Sequence, residues 1–208
     1  MSSSAPRPLN EAVFLESLFS NAPEAVVFLD VHHRVLRVNT EFTRLFGYTQ
    51  EEIAGRLIDE FIAGDETWDE ARGLSDRVES GEQVTKETTR RTKDGREIHV
   101  SILGGPVFEQ GEIVGVFGIY RDISARVNAE HALRESEERY RDIFEQAPVG
   151  IFQNGSDGSI MQLNGTLAQM LGYESVEDFS AALGGRAENM SADPSVRREL
   201  VDRLQRQG

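Results

Sequence analysis

The segment Ile113-Val-Gly-Val-Phe-Gly-Ile-Tyr120 decides the fold, because it is apolar on both of the faces that a strand would present. Such a strand needs cover on both sides, so we expect it inside a sheet, with short helices on one face and a terminal or linker helix on the other. Directly after it, at Arg121-Asp-Ile-Ser124, the extended pattern gives way to a helical one. The segment is therefore predicted to be the last strand of an α+β domain.

Four more strand patterns precede this segment. Glu97 to Val107 alternates apolar and polar residues, and it is joined to Val84–Thr92 by the turn Lys93-Asp-Gly95. Much earlier in the chain, Ala25–Asp30 and Arg34–Val38 are short β-prone runs with a polar turn between them, which indicates a hairpin. The domain therefore has two strands at its start and three at its end.

Helical patterns fill the interval between the hairpin and the third strand. Phe42 and Phe46 mark one short helix, and Thr49-x-x-Glu52 is a capping box that opens another. A longer helix with an apolar stripe is predicted over Glu66–Glu79. Upstream of the hairpin, residues 1–21 are predicted to form an amphipathic N-terminal helix.

An internal repeat indicates a second domain. The repeated residues are Phe19, Ala22-Pro23, Asn39 and Gly47-Tyr48, which recur at one offset (164 − 39 = 125) as Phe144, Ala147-Pro148, Asn164 and Gly172-Tyr173. A period this long indicates tandem domains and not a solenoid. The second copy has a counterpart of the long helix, beginning at Asp193-Pro194, but the sequence stops at Gly208 before the last three strands. We interpret the copy as truncated, with completion by another chain as the alternative.

The order of elements and a set of short motifs resemble the PAS sensory domain family, S-box subtype. In the first copy these motifs are Asn39, Phe46-Gly-Tyr48, Glu51-Glu-Ile-Ala-Gly55, Lys93-Asp-Gly95 and Arg121-Asp-Ile-Ser124. The resemblance implies an α+β PAS fold, in which a five-stranded antiparallel sheet of spatial order 2-1-5-4-3 and short helices enclose a small-molecule cleft. The second copy, with Leu171-Gly-Tyr173 among its motifs, is similar to the start of another PAS domain.

We expect four segments along the chain. They are the N-terminal helix over 1–21, a first PAS domain over 22–124, a coiled-coil-like helical linker over 125–146 and the N-terminal half of a second PAS domain over 138–208. The linker offers a weakly apolar seam at 4-3 spacing, formed by Arg126, Ala129, Leu133, Ser136, Tyr140, Ile143 and Ala147. A dimeric coiled-coil transmitter fits this seam, and a plain spacer helix is the alternative.

Composition narrows the classes of function. The net charge of −14 disfavours binding to nucleic acid or anionic membranes, and no apolar run reaches the roughly 20 residues that span a bilayer. The chain contains no cysteine, which excludes thiolate catalysis and Cys-ligated metal centres and fits a cytoplasmic location. We find no Gly-rich phosphate loop, paired carboxylates or nucleophile elbow in the sequence, so we do not expect an enzyme.

The resemblance implies a cytoplasmic sensor that detects a small ligand or partner and relays the change to an effector outside this chain, such as a histidine kinase, cyclase or transcription regulator. The candidate cleft residues are Phe28, Asn39, Phe42, Phe46, Phe61, Trp68, His99 and Phe117. The candidate relay residues are Asp122, Ile123, Ser124, Leu133 and Tyr140, and Ser124 is also a good N-cap. We expect a homodimer through the N-terminal and linker helices. A ligand-free PAS dimerisation module is the alternative.

The cofactor stays unknown from the sequence. Haem-binding PAS domains use a histidine on the long helix, and residues 66–79 contain none, while cysteine-linked flavin or chromophore needs a residue that the chain lacks. Non-covalent flavin stays open as a minor alternative to a plain aromatic core. His32-His33 lacks a third ligand and is interpreted as a solvated turn, so no metal site is predicted. His99 faces away from the apolar set of its strand, which favours a solvated position over a ligand contact.

Overall fold

The computed structural model of the protein describes residues 10–155, 157–186 and 189. These residues form two compact units, with the boundary between Glu130 and His131. None of the helices in the described ranges is both long and apolar enough to cross a lipid bilayer.

The first unit contains a five-stranded antiparallel sheet. Its strands are β1 (Ala25–Leu29), β2 (Val35–Val38), β3 (Val84–Arg91), β4 (Glu97–Glu109) and β5 (Glu112–Asp122). The spatial order is β2-β1-β5-β4-β3. Strand β5 pairs with β1 on one side and with β4 on the other. The predicted order and the interior position of the last strand are therefore confirmed.

Helices surround this sheet in the order that the sequence predicts. They are α1 (Glu11–Ser20), α2 (Thr40–Phe46), α3 (Gln50–Ile53), α4 (Asp59–Ile62), a 3₁₀ turn (Asp65–Thr67) and α5 (Trp68–Glu79). Helix α2 ends at Gly47, whose φ of 83° lies in the left-handed region that favours glycine. At the start of α3, the Glu52 carboxylate accepts a hydrogen bond from Thr49 N at 2.9 Å, as a capping box requires.

The core of the first unit lies between the inner face of the sheet and helices α2–α5. Because successive strand residues point to opposite faces, every second residue of β1, β4 and β5 enters this core. The largest fully buried side chains of the unit are Phe42, Phe46, Ile53, Ile58, Ile62, Val27, Val35 and Val100. Helix α1 contributes no fully buried residue and touches the outer face, where Phe19 stacks on Phe28 with ring centroids 5.2 Å apart.

The helix α6 (Ser124–Gln146) connects the two units. The second unit continues with β6 (Phe152–Asn154), β7 (Ile160–Leu163), α7 (Gly165–Met170) and α8 (Val176–Ala182). Strands β6 and β7 form an antiparallel pair, and a small core of Leu163, Ala168, Phe179 and Leu183 lies beside them. The predicted long helix that begins at Asp193-Pro194 lies outside the described residues, as do residues 1–9 of the predicted N-terminal helix.

Candidate functional site

A small cavity of about 50 Å³ lies between the inner face of the sheet and helices α4 and α5. Its floor is the pair Gly104 and Gly118, which face each other across β4 and β5. A Cβ added at Gly118 would lie 3.1 Å from a methyl of Val27 and 3.2 Å from the Tyr120 ring. The two glycines therefore keep open a space at the centre of the sheet that side chains would otherwise fill.

Arg90 of β3 brings a positive charge to the cavity wall. The residue is only 3% exposed, and its Nη1 donates to the Thr89 carbonyl at 2.8 Å and lies 3.4 Å from Glu70 Oε1. Its Nε and Nη2 donate to no other residue within the described ranges. These two groups are not among the fully buried atoms that lack a partner, and they remain available to an acceptor that enters the cavity lined by Arg90.

Asp59, the first residue of α4, brings a carboxyl group to the same cavity. Its Oδ2 lies 3.4 Å from Ser75 Oγ, and no ion pair joins it to Arg90 among the residues described. Burial raises the pKa of the Asp59 carboxyl above its usual range, although the charges of Arg90 and His33 act in the opposite direction. Protonation of this carboxyl group therefore costs less free energy in the folded protein than in the unfolded chain.

Tyr120 of β5 supplies a hydroxyl group beside the glycine floor. Its ring packs edge-on against Phe46, with centroids 5.2 Å apart, and the hydroxyl lies 3.5 Å from the position that a Cβ of Gly118 would take. Burial is the main cause that raises the pKa of Tyr120 above its ordinary value. The hydroxyl therefore stays protonated and is a donor throughout the physiological pH range.

His33 reaches the cavity from the β1–β2 turn, so the prediction of a solvated turn is wrong for this residue. Asp30 Oδ1 accepts hydrogen bonds from the backbone N–H groups of His32 and Arg34, and His33 adopts a left-handed φ of 58°. This turn leaves His32 exposed but buries His33, which is 7% exposed. Glu79 Oε1 lies 3.3 Å from His33 Nε2 outside hydrogen-bonding geometry, and Nε2 has no hydrogen-bond partner in the described part of the chain.

A surface groove of about 300 Å³ adjoins the cavity. Three residues line both spaces, namely His33, Asp59 and Ser75. Trp68 and Arg72 of α5 line the groove but not the cavity. The predicted cleft residue Trp68 is therefore near the mouth of the cavity and not inside it.

Most of the predicted cleft residues are part of the core. Phe42, Phe46 and Phe61 belong to the buried cluster and do not line the cavity. Asn39 is also buried, and its side chain is fully used in hydrogen bonds to the backbone. These four side chains pack against or bind the protein itself and do not line the cavity, so their contact with a ligand stays a prediction.

Two other predicted cleft residues, Phe28 and His99, do not line the cavity, whereas Phe117 does. Val27, Val100 and Val116 are buried in the core, so their strand neighbours Phe28, His99 and Phe117 point to the outer face. Phe28 is directly opposite Phe117 in the β1–β5 pairing, and Phe117 is also one of the residues that line the cavity. The strand alternation argues against an inner position for Phe28 and His99, and a ligand contact of Phe117 stays a prediction.

The predicted relay residues form the junction between β5 and α6. Asp122 Oδ1 accepts from Ser124 N at 2.8 Å, and Ile123 N donates to the His99 carbonyl at 2.9 Å. Ser124 Oγ accepts from His99 N at 3.1 Å, so this hydroxyl binds β4 and not a helix N–H. The expected N-cap role of Ser124 is therefore wrong, and the Asp122 carboxylate takes it instead.

The relay residues farther along α6 are exposed within the chain. Leu133 is 61% exposed, Tyr140 56% and Ile143 65%, and the three share one stripe of the helix. Arg126, at the start of the predicted seam, forms ion pairs with Glu87 of β3 at 2.7 Å and with Glu130 at 3.0 Å. The apolar stripe of α6 is thus exposed in the single chain, whereas Arg126, the first residue of the predicted seam, is held against the sheet by its ion pair with Glu87.

The alternation of side chains along a strand could have identified two of the cavity residues that the sequence analysis missed. Arg90 lies an even number of positions from the buried Val84 in β3, and Tyr120 lies an even number of positions from the buried Val116 in β5. Each therefore points to the same face of the sheet as its buried neighbour. His33 and Asp59 carry no such signal, because their burial depends on the turn conformation and on the packing of α4.

Comparison with known proteins completes the assignment of the family. The model of the PAS fold matches residues 14–123, which is more than half of the chain, and a PAS domain model matches residues 138–205. The chain belongs to the PAS family. The resemblance noted from the motifs is confirmed, and the second match supports a second PAS unit after the first.

Among curated proteins, this PAS chain is similar to sporulation kinase E of Bacillus subtilis (strain 168). The two are 28% identical over 163 residues, which is 75% of this chain and 20% of the kinase. The chain therefore spans about a fifth of the length of that relative. The relationship to a kinase is consistent with a role in signal sensing.

Solved PAS structures agree with the fold. A PAS domain of a protein from Colwellia psychrerythraea is 24% identical, has a TM-score of 0.51 and covers 56% of this chain and 99% of its own. An RNA-binding light-oxygen-voltage receptor is 22% identical, has a TM-score of 0.54 and covers 66% of this chain and 41% of its own. At these identities the similarity concerns the fold.

The cavity does not fit the large PAS cofactors. Its volume of about 50 Å³ is a third of the roughly 150 Å³ that holds a benzene molecule in an engineered protein cavity. A flavin ring system or a haem is several times larger than benzene. The non-covalent flavin that the sequence left open therefore does not fit between the glycine floor and α5.

Proposed function

We propose that this PAS module is a cytoplasmic, non-catalytic sensor that detects a small ligand in the cavity and relays the change through α6 to an effector outside the chain. The observation that carries the proposal is the continuity of β4 and β5 from cavity to helix. Gly104 of β4 and Gly118 of β5 form the cavity floor. The start of β4 and the end of β5 lie at the junction where Ser124 Oγ accepts a hydrogen bond from His99 N. A shift of either strand at the cavity therefore acts directly on the start of α6.

The far end of α6 supports the same proposal. In the second unit, Asn164 Nδ2 donates to the Phe144 carbonyl at 2.8 Å, near the last residue of the helix. Its Oδ1 accepts from Ile151 N at 2.8 Å, at the start of the second sheet. Hydrogen bonds thus hold α6 at its beginning and at its end, which suits a rigid element that carries a rotation from one unit to the next.

We further propose that a second copy of the chain covers the exposed apolar stripe of α6. Leu133, Tyr140 and Ile143 recur at seven- and three-residue intervals, as in the seam of a two-stranded coiled coil. Helix α1 supports the same partner, since its apolar residues Val13, Phe14, Leu15 and Leu18 are all exposed in the single chain.

A ligand-free dimerisation module is the second candidate function. The observation in its favour is that the predicted cleft residues Phe42, Phe46 and Phe61 are packed in the buried core and do not line the cavity. A core that is already packed does not need a ligand to be stable.

A chimaeric kinase tests the relay. In it, this chain replaces the matching segment of sporulation kinase E, and one alanine is inserted in α6 between Arg134 and Glu135. One residue rotates the following helix by about 100°, whereas an insertion of seven residues nearly restores the original phase. We expect a several-fold change of kinase activity with one residue and little change with seven. Equal activities in both insertions would refute the relay and favour the spacer helix.

A further inference from the structure

We infer that the cavity of the first unit binds a small monocarboxylate anion of the size of formate or acetate. The inference rests on the proposed sensory function and names the chemical class of its ligand. It is carried by the volume of the cavity, by the donors of Arg90 and Tyr120 at its wall and by the positive charge of Arg90.

The volume limits the ligand to very few atoms. A buried water needs at least about 10–15 Å³ of such space, so a cavity of about 50 Å³ holds three or four waters or a molecule with a similar number of non-hydrogen atoms. Formate has three non-hydrogen atoms and acetate has four. Amino acids and nucleotides are too large for the cavity itself.

The polar groups at the cavity require acceptors on the ligand. Arg90 has unused donors at Nε and Nη2, and Tyr120 has a protonated hydroxyl. His33 Nε2, in a residue more than nine-tenths buried, has no hydrogen bond in the described part of the chain, lies 3.3 Å from Glu79 Oε1, and donates to a ligand in the state that carries a proton there. A carboxylate offers two oxygens to an arginine in parallel, which is the strongest pairing that a guanidinium group makes.

The charge balance favours an anion over a neutral molecule. Glu70 is the acidic residue nearest to Arg90, but its carboxylate is shared, since Lys86 Nζ lies 3.7 Å and Arg90 Nη1 3.4 Å from it. Asp59 forms no ion pair with Arg90 among the described residues, and burial raises the pKa of its carboxyl group. Lys86 and Arg90 thus carry two positive charges against the single carboxylate of Glu70. Glu79, 3.3 Å from His33, is an acidic residue at the mouth of the cavity.

An entry route is present in the structure. The groove lined by Trp68 and Arg72 meets the cavity at His33, Asp59 and Ser75. A carboxylate that enters from the groove passes His33 before it reaches Arg90. The strained left-handed backbone of His33 at this point is typical of residues held in place for a functional purpose.

Heteronuclear NMR of the 208-residue chain tests the inference. Sodium acetate and sodium formate are titrated against sodium chloride at equal ionic strength, with acetamide as the uncharged analogue of the same shape. We expect saturable shifts at the amides of Gly104, Gly118 and Tyr120 with the two carboxylates and none with chloride or acetamide. Absence of saturation with both carboxylates would overturn the inference.

Variants locate the binding in the cavity. Arg90→Gln should weaken acetate binding at least about tenfold, because it removes a charged hydrogen bond. The control Arg91→Gln makes the same change on the outer face of β3 and should leave the affinity unchanged. If Arg90→Gln does not fold, Tyr120→Phe removes only the hydroxyl and should weaken binding about threefold or more. Unchanged affinity in Tyr120→Phe and in any folded Arg90→Gln protein would refute the site.

Failure of this inference is distinguishable from failure of the proposed relay. If the activity of the chimaeric kinase depends on the phase of α6 but the chain does not bind carboxylates, the proposed anion site is refuted and the proposed relay stands. If the chain binds acetate specifically but the activity of the chimaeric kinase does not depend on the phase of α6, the relay is refuted and the anion site is supported.

Discussion

Asn39 shows how one side chain joins three elements of the PAS fold. Its Oδ1 accepts hydrogen bonds from Val26 N of β1 and Phe42 N of α2, both at 2.9 Å. Its Nδ2 donates to the carbonyls of Phe19 at 3.2 Å and Glu24 at 2.9 Å. An amide is the side chain that supplies acceptor and donors together, which explains why asparagine occupies this position and position 164 alike.

Replacement of Asn39 by alanine should destabilise the first unit strongly. Asn39→Ala leaves buried backbone groups of Val26 and Phe42 without a partner, and we expect a loss of about 3 kcal/mol in the free energy of unfolding. Asn39→Asp keeps the acceptor and loses the two donors, so it should lie between wild type and alanine. Urea unfolding followed by circular dichroism measures both, and a loss in Asn39→Ala below about 1 kcal/mol would contradict the structural role.

Asp59 predicts a pH dependence of stability with a definite sign. Its pKa is raised in the folded state, so between the unfolded and the folded pKa the native protein binds more protons than the unfolded chain. The stability contributed by this group is fully present below the unfolded pKa and is lost as the pH rises through the folded pKa. The groups that face Asp59 are Arg90, His33 and Ser75, with Tyr120 nearby.

The variant Asp59→Asn should remove this loss. We expect a higher melting temperature than wild type at pH 7, and a difference that shrinks as the pH falls below the unfolded pKa of an aspartate. The variant Asp76→Asn, on the groove side of α5, is the matched control and should show no such trend. A wild-type protein that is more stable than Asp59→Asn at neutral pH would show that Asp59 is a stabilising anion.

At the scale of elements, the sheet can be predicted because two signals are visible in short stretches of sequence. These are the alternation of apolar and polar residues in strands and the residues typical of turns. The turn Lys93-Asp-Gly95 places β3 against β4, and the all-apolar pattern of Ile113–Tyr120 places β5 inside the sheet. The ligand cavity is not predictable in the same way. Aromatic side chains such as Phe42 satisfy a core and a cleft equally in sequence, and only their packing shows which applies.

Helix α6 gives a prediction for the dimer. Leu133→Gln replaces an exposed apolar residue in the centre of the seam, and it should weaken self-association by about tenfold or more, since a seam leucine contributes apolar burial only in the dimer. Glu135→Gln creates the same residue on another face of the same helix and should leave association unchanged. Sedimentation equilibrium measures both variants, and equal dimer constants would place the dimer contact elsewhere.

At the scale of the whole molecule, the two PAS units have separate cores. The buried cluster of the first unit has 17 members, whereas the cluster of the second unit has four among the residues that the structure describes. No member of one cluster belongs to the other. Stability rises with the apolar surface that a unit buries, so the two units should differ in stability.

We therefore expect two unfolding transitions, with the second unit unfolding first. Asn164→Ala removes the hydrogen bonds to Ile151, Phe144 and Val149 and should lower the midpoint of the first transition alone. Asn39→Ala should lower the midpoint of the second transition alone, so the pair of variants is a matched test. Residue-resolved hydrogen exchange in urea assigns each transition to its unit. A single transition that both variants shift equally would mean that α6 couples the two units into one cooperative structure, and the relay would then act through global stability and not through the phase of the helix.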